Sequence, residues 1–148
     1  MQQYIDLLEK SFVVFHLRSF SRSVRSELKK SRKIYFWDNG VRNAVIGDFK
    51  TLGLHTDVGA LWENYVISER LKHNAYSSFY GKRYFWRTQL RQEVDYVEDI
   101  DGMLHAYEFK WSKTKQPRLS ETFAKNYPDH TFEVVSPDNY LDFVRGMI

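Results

Sequence analysis

The stretch EVDYVEDIDGMLHAYEFK, from Glu93 to Lys110, decides the fold of this chain. Two runs rich in β-branched and aromatic residues lie on either side of the turn-forming sequence EDIDG, residues 98–102, and this pattern predicts an antiparallel hairpin. The sequence YFWR, residues 84–87, predicts a further strand just before it. We therefore expect a three-stranded antiparallel meander.

Helical patterns lie on both sides of the meander. The sequence GALWENYVISERLKH, residues 59–73, predicts a helix that is apolar around most of its circumference, which is typical of a helix packed on more than one side. After the meander, residues 119–127 predict a helix and residues 131–135 a strand. Ser136 and Pro137 then predict the N-cap and first position of a final helix. This order indicates a mixed α/β domain with helices on both faces of a sheet.

A smaller unit precedes this domain. Apolar residues recur with helical spacing in residues 4–8, and the sequences FVVFHL, residues 12–17, and KIYFW, residues 33–37, predict two strands. A long basic segment separates these strands, so we expect a hairpin with a long wing. The sequence VRNAVIG, residues 41–47, predicts a short helix closed by its glycine.

Length and composition limit the classes of protein that the chain can represent. Its 148 residues are 43% hydrophobic, which is enough for one compact domain with a hydrophobic core. The chain is too short for two domains of ordinary size. The absence of cysteine excludes disulfides, thiolate zinc sites and cysteine nucleophiles. No stretch approaches the roughly 20 apolar residues that a membrane-spanning helix needs. We expect a cytoplasmic protein without membrane insertion.

Basic residues are concentrated in one short segment, although the net charge is only +3. Glu27 is the only acidic residue there. Such a cluster attracts nucleic-acid phosphates without reading their sequence, whereas the alternative is a solvated loop between two strands. The candidate nucleic-acid-binding residues are Arg18, Arg22, Arg25, Lys29, Lys30, Arg32 and Lys33.

Three charged residues of the meander point to chemistry. Side chains alternate along a strand, so Glu108 and Lys110 share one side while Phe109 points to the other. If the turn at EDIDG pairs the two strands, Asp95 lies near Glu108 across the ladder. Two neighbouring carboxylates repel each other, and a divalent cation such as Mg²⁺, which prefers oxygen ligands, relieves that repulsion. A lysine beside such an ion can hold a water or offset charge on a phosphate.

A third carboxylate lies in the predicted helix of residues 59–73. Glu63 has Ala60, Val66 and Ile67 as its helical neighbours, and an ionised side chain in such an apolar setting needs a partner. Arg70, seven residues later, is one possible partner and a metal ion is the other.

The five histidines are scattered through the chain without the spacing of metal ligands, so we interpret each as a surface or packed residue rather than a zinc ligand. The aromatic run FYGKRYFWR, residues 79–87, can stack on bases, but a buried strand explains it more simply. No G-x-S-x-G elbow of a serine hydrolase is present.

The succession of a helix glutamate, a strand aspartate and the tripeptide EFK resembles the PD-(D/E)XK nuclease superfamily. The wider segments KIYFWDNGVRNAVIG, DVGALWENYVISERL, YFWRTQLRQEVDYV and LHAYEFK resemble the nuclease-like C-terminal domain of unknown function that follows the AAA+ module in many bacterial and archaeal ATPases. The resemblance implies a restriction-endonuclease-like core, in which a helix, a three-stranded meander, a helix and a strand follow one another. Residues 38–148 would form this domain, and residues 1–37 would be the last helix and hairpin of a winged helix.

The resemblance also implies roles for individual residues. Asp95 and Glu108 would bind Mg²⁺ or Mn²⁺, and Lys110 would activate the water or stabilise the phosphate. Glu63 would support the metal or its waters. Metal-dependent hydrolysis of nucleic acid is therefore one hypothesis, and a catalytically inactive module for nucleic-acid or subunit contacts is the other.

An AAA+ ATPase is the partner that the resemblance implies. The chain contains no G-x-x-x-x-G-K-[ST] phosphate loop, so we expect no ATP site and no ATPase activity from it alone. We interpret it as a fragment of a longer ATPase or as a gene remnant.

Overall fold

The computed structural model describes residues 2–22, 31–112, 114 and 117–146. These residues form a mixed α/β fold with five α-helices, one short 3-10 helix and six strands. No helix among them is long and apolar enough to cross a lipid bilayer. In chain order the elements are α1 (Gln2–Lys10), β1 (Val14–Ser19), β2 (Arg32–Phe36), α2 (Asn39–Ile46), the 3-10 helix (Leu52–Leu54), α3 (Val58–Tyr76), β3 (Lys82–Arg87), β4 (Glu93–Ile100), β5 (Met103–Phe109), α4 (Glu121–Asn126), β6 (His130–Val135) and α5 (Tyr140–Arg145).

The six strands form one mixed sheet in the order β2-β1-β3-β4-β5-β6. Strands β3, β4 and β5 are the predicted antiparallel meander. Ile100 lies opposite Met103, so Asp101 and Gly102 form a two-residue hairpin loop. Both loop residues have positive φ, 52° and 89°, as the turn that matches strand twist requires.

The N-terminal hairpin belongs to the same sheet as the meander. Strands β1 and β2 are antiparallel, and β1 then pairs with β3 in parallel, with Arg18 opposite Tyr84. The separate unit of residues 1–37 and the restriction-endonuclease-like topology stay predictions. The mixed α/β class and the meander are confirmed.

Helices cover both faces of the sheet. On one face, Val66 and Ile67 of α3 and Phe143 of α5 pack in the first hydrophobic cluster, and on the other face Phe123 of α4 packs with Trp86 in the second cluster. We call these the α3 face and the α4 face. The predicted two-sided arrangement is confirmed, because each face buries its apolar side chains under a helix of its own.

Two helix ends show how local signals compete. Helix α2 has the expected glycine cap, since Gly47 is left-handed and its N–H donates to the last turn. Helix α5, however, starts at Tyr140 and not at the predicted Pro137. The side chain of Asn139 accepts from the N–H of Ser136 at 2.8 Å, so residues 136–139 close a turn ahead of the helix.

The side chain of Asn64 in helix α3 binds the backbone of the edge strand β2. Asn64 is only 5% exposed. Its Oδ1 accepts from the N–H of Phe36 at 2.8 Å, and its Nδ2 donates to the carbonyl of Phe36 at 2.9 Å. One amide thus satisfies both backbone groups of an edge residue.

Replacing Asn64 with leucine is expected to lower the free energy of unfolding by about 2 kcal/mol, because two partly buried backbone groups of Phe36 lose their hydrogen-bond partner. Urea denaturation followed by circular dichroism measures this. The control is Asn126→Leu at the exposed end of α4, where we expect a change within about 0.5 kcal/mol. Equal stability of the Asn64 variant and wild type would show that the Phe36 groups do not depend on this amide.

Candidate active site

The β4–β5 pairing brings Asp95 and Glu108 together. Tyr96 lies opposite Tyr107, so the next positions along the same register are Asp95 and Glu108. The side chain of Asp95 reaches across to the neighbouring strand, where its Oδ2 accepts from the N–H of Phe109 at 3.0 Å. The structure therefore places these two predicted site residues side by side.

A β-bulge in β4 sets the position of Asp95. The β3–β4 register shifts between Tyr84 and Trp86, so that Asp95 and Tyr96 together lie opposite one residue of β3. Val94 packs on the α4 face and Tyr96 on the α3 face, whereas strict alternation along a strand would place both on one side. Bulges of this kind redirect a side chain, and they are common next to active sites.

Glu108 carries a partly buried carboxyl group, one oxygen of which has no partner among the described residues. Its side chain is 16% exposed, and its Oε2 is buried with no hydrogen-bond partner in the part of the chain that the structure describes. Burial, followed by hydrogen bonding with Asp95 and the charge of Asp95, raises the pKa of Glu108 to about 9. With a pKa of about 9, Glu108 is protonated at neutral pH when no cation is bound.

Lys110 lies beside Glu108 at the end of the same strand. Its Nζ lies 4.0 Å from Oε2 of Glu108, and its side chain is 32% exposed. Its backbone N–H donates to the carbonyl of Val135 at 2.9 Å, which fixes the residue at the end of β5. The lysine thus borders the carboxyl pair and is open to a substrate from solvent.

Glu63 approaches the same region from α3. Its Oε1 accepts from the hydroxyl of Tyr35 at 2.6 Å and lies 3.2 Å from Nζ of Lys33. Burial raises the pKa of Glu63, Lys33 lowers it, and the charge of Asp95 raises it again, with a net increase. The ligand atoms of Glu63, Asp95 and Glu108 do not all lie within 4.8 Å of one another. Glu63 therefore borders the carboxyl pair and has partners of its own.

Adjacent carboxylates with a buried, unsatisfied oxygen fit a hard divalent cation. Mg²⁺ and Mn²⁺ take oxygen ligands and commonly bind through one or two carboxylates, with waters in the other positions. Asp95 and Glu108 are the residues that would hold such an ion, with Glu63 beside them.

Residues 58–141 match the family described as Domain of unknown function (DUF4143), which is more than half of the chain. The chain belongs to this family. Residues 1–52 match a second description, Domain of unknown function (DUF8612). The four candidate site residues all fall within the DUF4143 match.

Two mycobacterial proteins resemble this DUF4143 chain. They are Uncharacterized protein Rv2008c of Mycobacterium tuberculosis and Uncharacterized protein Mb2031c of Mycobacterium bovis. Each is 28% identical over 123 residues, which cover 82% of this chain and 26% of the relative. The chain thus spans about a quarter of the length of the curated relatives it matches. No solved structure matches it.

Sequence reasoning missed two residues that border the candidate site. Lys33 was assigned to the nucleic-acid surface, but its Nζ forms ion pairs with both Glu63 and Glu93. Burial lowers the pKa of Lys33, but the two carboxylates outweigh it and the net change is an increase. Tyr35, two residues later on the same side of β2, is the second. The sequence indicated that Lys33 and Tyr35 lie on the same side of a strand. It did not indicate that this strand lies beside α3.

Arg70 is not the partner of Glu63. Its guanidinium binds both oxygens of Glu98, at 2.9 and 2.8 Å. Glu98 is fully buried and also accepts from the hydroxyl of Tyr96 at 2.9 Å and from the amide of Asn74 at 3.2 Å. These bonds satisfy both oxygens of Glu98 and neutralise its charge. The sequence analysis did not identify Glu98 as a buried charge.

The predicted basic surface is divided in the structure. Arg18 and Arg32 are exposed and lie opposite each other on β1 and β2. Arg22 instead donates to the carbonyl of Gly102 at 3.2 Å, at the hairpin loop between β4 and β5. The remaining candidates lie outside the described residues, and these are Arg25, Lys29 and Lys30.

Proposed function

We propose that this DUF4143 domain is a metal-dependent phosphodiester hydrolase that acts on nucleic acid. One observation carries the proposal: a buried oxygen of Glu108 has no hydrogen-bond partner in the described chain, and the carboxyl group of Asp95 lies beside it. Two adjacent carboxyl groups, one of them with a raised pKa and an unpaired oxygen, are typical of a site that binds a cation.

Asp95 and Glu108 would hold Mg²⁺ or Mn²⁺. When bound, such an ion lowers the pKa of a coordinated water and offsets charge on the phosphate. Lys110 provides a positive charge next to these carboxylates on an exposed side chain, so it can contact a phosphate oxygen and stabilise the charge that develops there.

Glu63 supports this site from the helix. The hydroxyl of Tyr35 and the ammonium of Lys33 hold its carboxylate in one orientation. Glu63 therefore adds negative potential beside Asp95. The charge of Asp95 raises the pKa of Glu63, which indicates that the two carboxylates interact. We expect it to strengthen cation binding and to position water.

The resemblance to the C-terminal domain of AAA+ ATPases implies that such a domain works beside an ATPase module. The curated relatives are about four times as long as the matched segment, which leaves room in those proteins for other modules. We propose that this domain works together with an ATPase that supplies the nucleic acid.

Nicking of supercoiled plasmid in the presence of Mg²⁺ or Mn²⁺ tests the proposal. We expect cleavage by the intact chain and a loss of about a hundredfold in Lys110→Ala, because a positioned charge or proton-transfer group contributes at least that much. Asp95→Asn should abolish cleavage. Lys82→Ala is the matched control, since Lys82 is an exposed lysine on neighbouring β3.

Cleavage that persists in both site variants would come from a contaminant or from another site, and the proposal would then be wrong. Absence of both cleavage and Mn²⁺ binding by calorimetry in the intact chain would also contradict it.

The exposed pair Arg18 and Arg32 favours a second candidate, an inactive module that binds nucleic acid. Two cationic side chains on neighbouring strands can contact adjacent phosphates. In that case the double variant Arg18→Ala/Arg32→Ala weakens gel-shift binding of duplex DNA, whereas Asp95→Asn does not. A binding affinity that is the same in wild type and the arginine variant would exclude this candidate.

A further inference from the structure

A second group of possible metal ligands lies in the loop between α2 and α3, away from the meander. Asp48, His55 and Asp57 each offer one ligand atom, and these atoms all lie within 4.8 Å of one another. The proposal drawn from them is independent of the function proposed above.

His55 is oriented as metal-ligating histidines are. Its ring is almost completely buried, with a side chain that is 2% exposed. Its Nε2 lies 2.9 Å from the carbonyl oxygen of Lys50, and because a carbonyl only accepts, Nε2 carries a proton. The other ring nitrogen, Nδ1, faces Asp48 and Asp57 and is the atom that can bind a metal ion. Within the described chain, Nδ1 has no hydrogen-bond partner.

Each aspartate keeps one oxygen directed at this nitrogen. Oδ2 of Asp57 is bound by the guanidinium of Arg42, which lowers the pKa of Asp57 and keeps it ionised. Its Oδ1 is buried and unbonded among the residues that the structure describes. Asp48 accepts from the N–H of Lys50 through Oδ1, and its Oδ2 faces His55.

The side chain of Asp57 does not form the hydrogen bond that is usual for its position at the start of α3. It is the N-cap residue of α3, where aspartate normally accepts a hydrogen bond from the first turn, but its side chain makes no such bond. The carboxylate points toward Arg42 and His55 instead. Asp57 thus contacts Arg42 and His55 in place of the N–H groups of the first helical turn.

Two distances between the ligand atoms fit Zn²⁺. Nδ1 of His55 lies 3.3 Å from Oδ2 of Asp48 and 3.5 Å from Oδ1 of Asp57. Ligands at about 2.0 to 2.1 Å from a tetrahedral Zn²⁺ lie about 3.4 Å from one another, whichever pair is chosen. Octahedral Mg²⁺, with similar bond lengths, brings neighbouring ligands to about 3.0 Å and prefers oxygen to nitrogen.

We propose that Asp48, His55 and Asp57 bind a tetrahedral Zn²⁺, with water in the fourth position. Arg42 and the carbonyl of Lys50 hold the ligands from outside, as the second shell of a zinc site does. The ion would join the end of α2 to the start of α3. The histidine spacing predicted no zinc site, because only one histidine takes part and the other ligands are aspartates.

Calorimetric titration of the chelator-treated full chain with ZnCl₂ tests the site. The variant Asp95→Asn/Glu108→Gln serves as background, so that the carboxyl pair of the meander does not contribute. We expect one Zn²⁺ per chain, and a loss in affinity of at least about a hundredfold in both Asp48→Asn and His55→Gln. His105→Gln is the matched control, because His105 bonds to Thr131 and lies outside the cluster.

A second measurement does not depend on affinity. Co²⁺ in place of Zn²⁺ should produce the intense visible absorption of a tetrahedral complex, and Asp48→Asn, a change in an exposed loop, should remove it while the circular dichroism spectrum stays unchanged. Absence of Zn²⁺ binding, or binding that survives in Asp48→Asn and His55→Gln, would overturn the proposal and leave a histidine ion-paired with two aspartates.

Discussion

Replacing Arg70 with methionine is expected to lower the free energy of unfolding by about 4 kcal/mol. The change leaves Glu98, which is fully buried, without the guanidinium that binds both of its oxygens. Removal of one partner from a buried ion pair costs more than the pair contributes, because an uncompensated charge remains in the core. Urea denaturation at pH 7, followed by tryptophan fluorescence, measures the difference.

Lys72→Met is the control for this experiment. Lys72 pairs with Glu69 on the same helix at 2.7 Å, but both side chains are substantially exposed, so we expect a loss of less than about 1 kcal/mol. The double variant Arg70→Met/Glu98→Gln should recover part of the stability, since it removes the charge left behind. A loss below about 1 kcal/mol in Arg70→Met would show that the core tolerates Glu98 without its partner.

The local parts of the fold were predictable because their signals are local. The hairpin loop at Asp101 and Gly102 needs two residues with positive φ, and the sequence Asp-Gly is typical of such loops. The same holds for Gly47 at the end of α2. The predicted start of α5 at Pro137 was wrong. Ser136 and Asn139 both have side chains that can cap a helix, and the turn that they form places the start of the helix at Tyr140.

The candidate site was predictable only in part. The closeness of Asp95 and Glu108 follows from the register that the hairpin loop imposes. The β-bulge in β4 could not be predicted, because one extra residue in a strand produces no periodic pattern in the sequence. Lys33 and Tyr35 reach Glu63 only because β1 pairs with β3 in parallel and carries β2 with it, and this pairing joins segments more than 60 residues apart.

The partner of Glu63 shows a further limit of reasoning from one element. Arg70 lies two helical turns beyond Glu63, and helix periodicity allowed the two to interact. Tertiary packing decided otherwise, since Glu98 on β4 offered Arg70 a bidentate contact in the core. A helix pattern predicts which side chains share a face, and the neighbouring element decides which of them pair.

The affinity of the carboxyl pair for Mn²⁺ is expected to rise about tenfold for each pH unit between pH 6 and pH 9, or about a thousandfold in all. Burial and Asp95 raise the pKa of Glu108 from its ordinary 4.5 to about 9, so each bound ion must displace one proton in this range. Calorimetry in buffers with different ionisation enthalpies measures the proton release directly. We expect close to one proton per ion at pH 7.

Glu108→Gln should bind Mn²⁺ weakly and with little pH dependence, since no proton remains to be displaced. Glu133→Gln is the control, because burial also raises the pKa of Glu133 but that residue bonds to Asn139 instead of Asp95. A wild-type affinity that is the same at pH 6 and pH 9 would mean that Glu108 does not bind the ion.

Without metal, the same group acts on stability with the opposite sign. Between pH 4.5 and about 9 the folded chain holds a proton on Glu108 that the unfolded chain has released, so the free energy of unfolding falls as pH rises. Glu108→Gln removes this decline and should be the more stable protein at pH 8. Bound Mn²⁺ should reverse the trend in wild type, because it favours the ionised carboxylate that the empty site disfavours. A carboxyl pair that destabilises the metal-free chain and stabilises the loaded one is the behaviour expected of a site built for an ion.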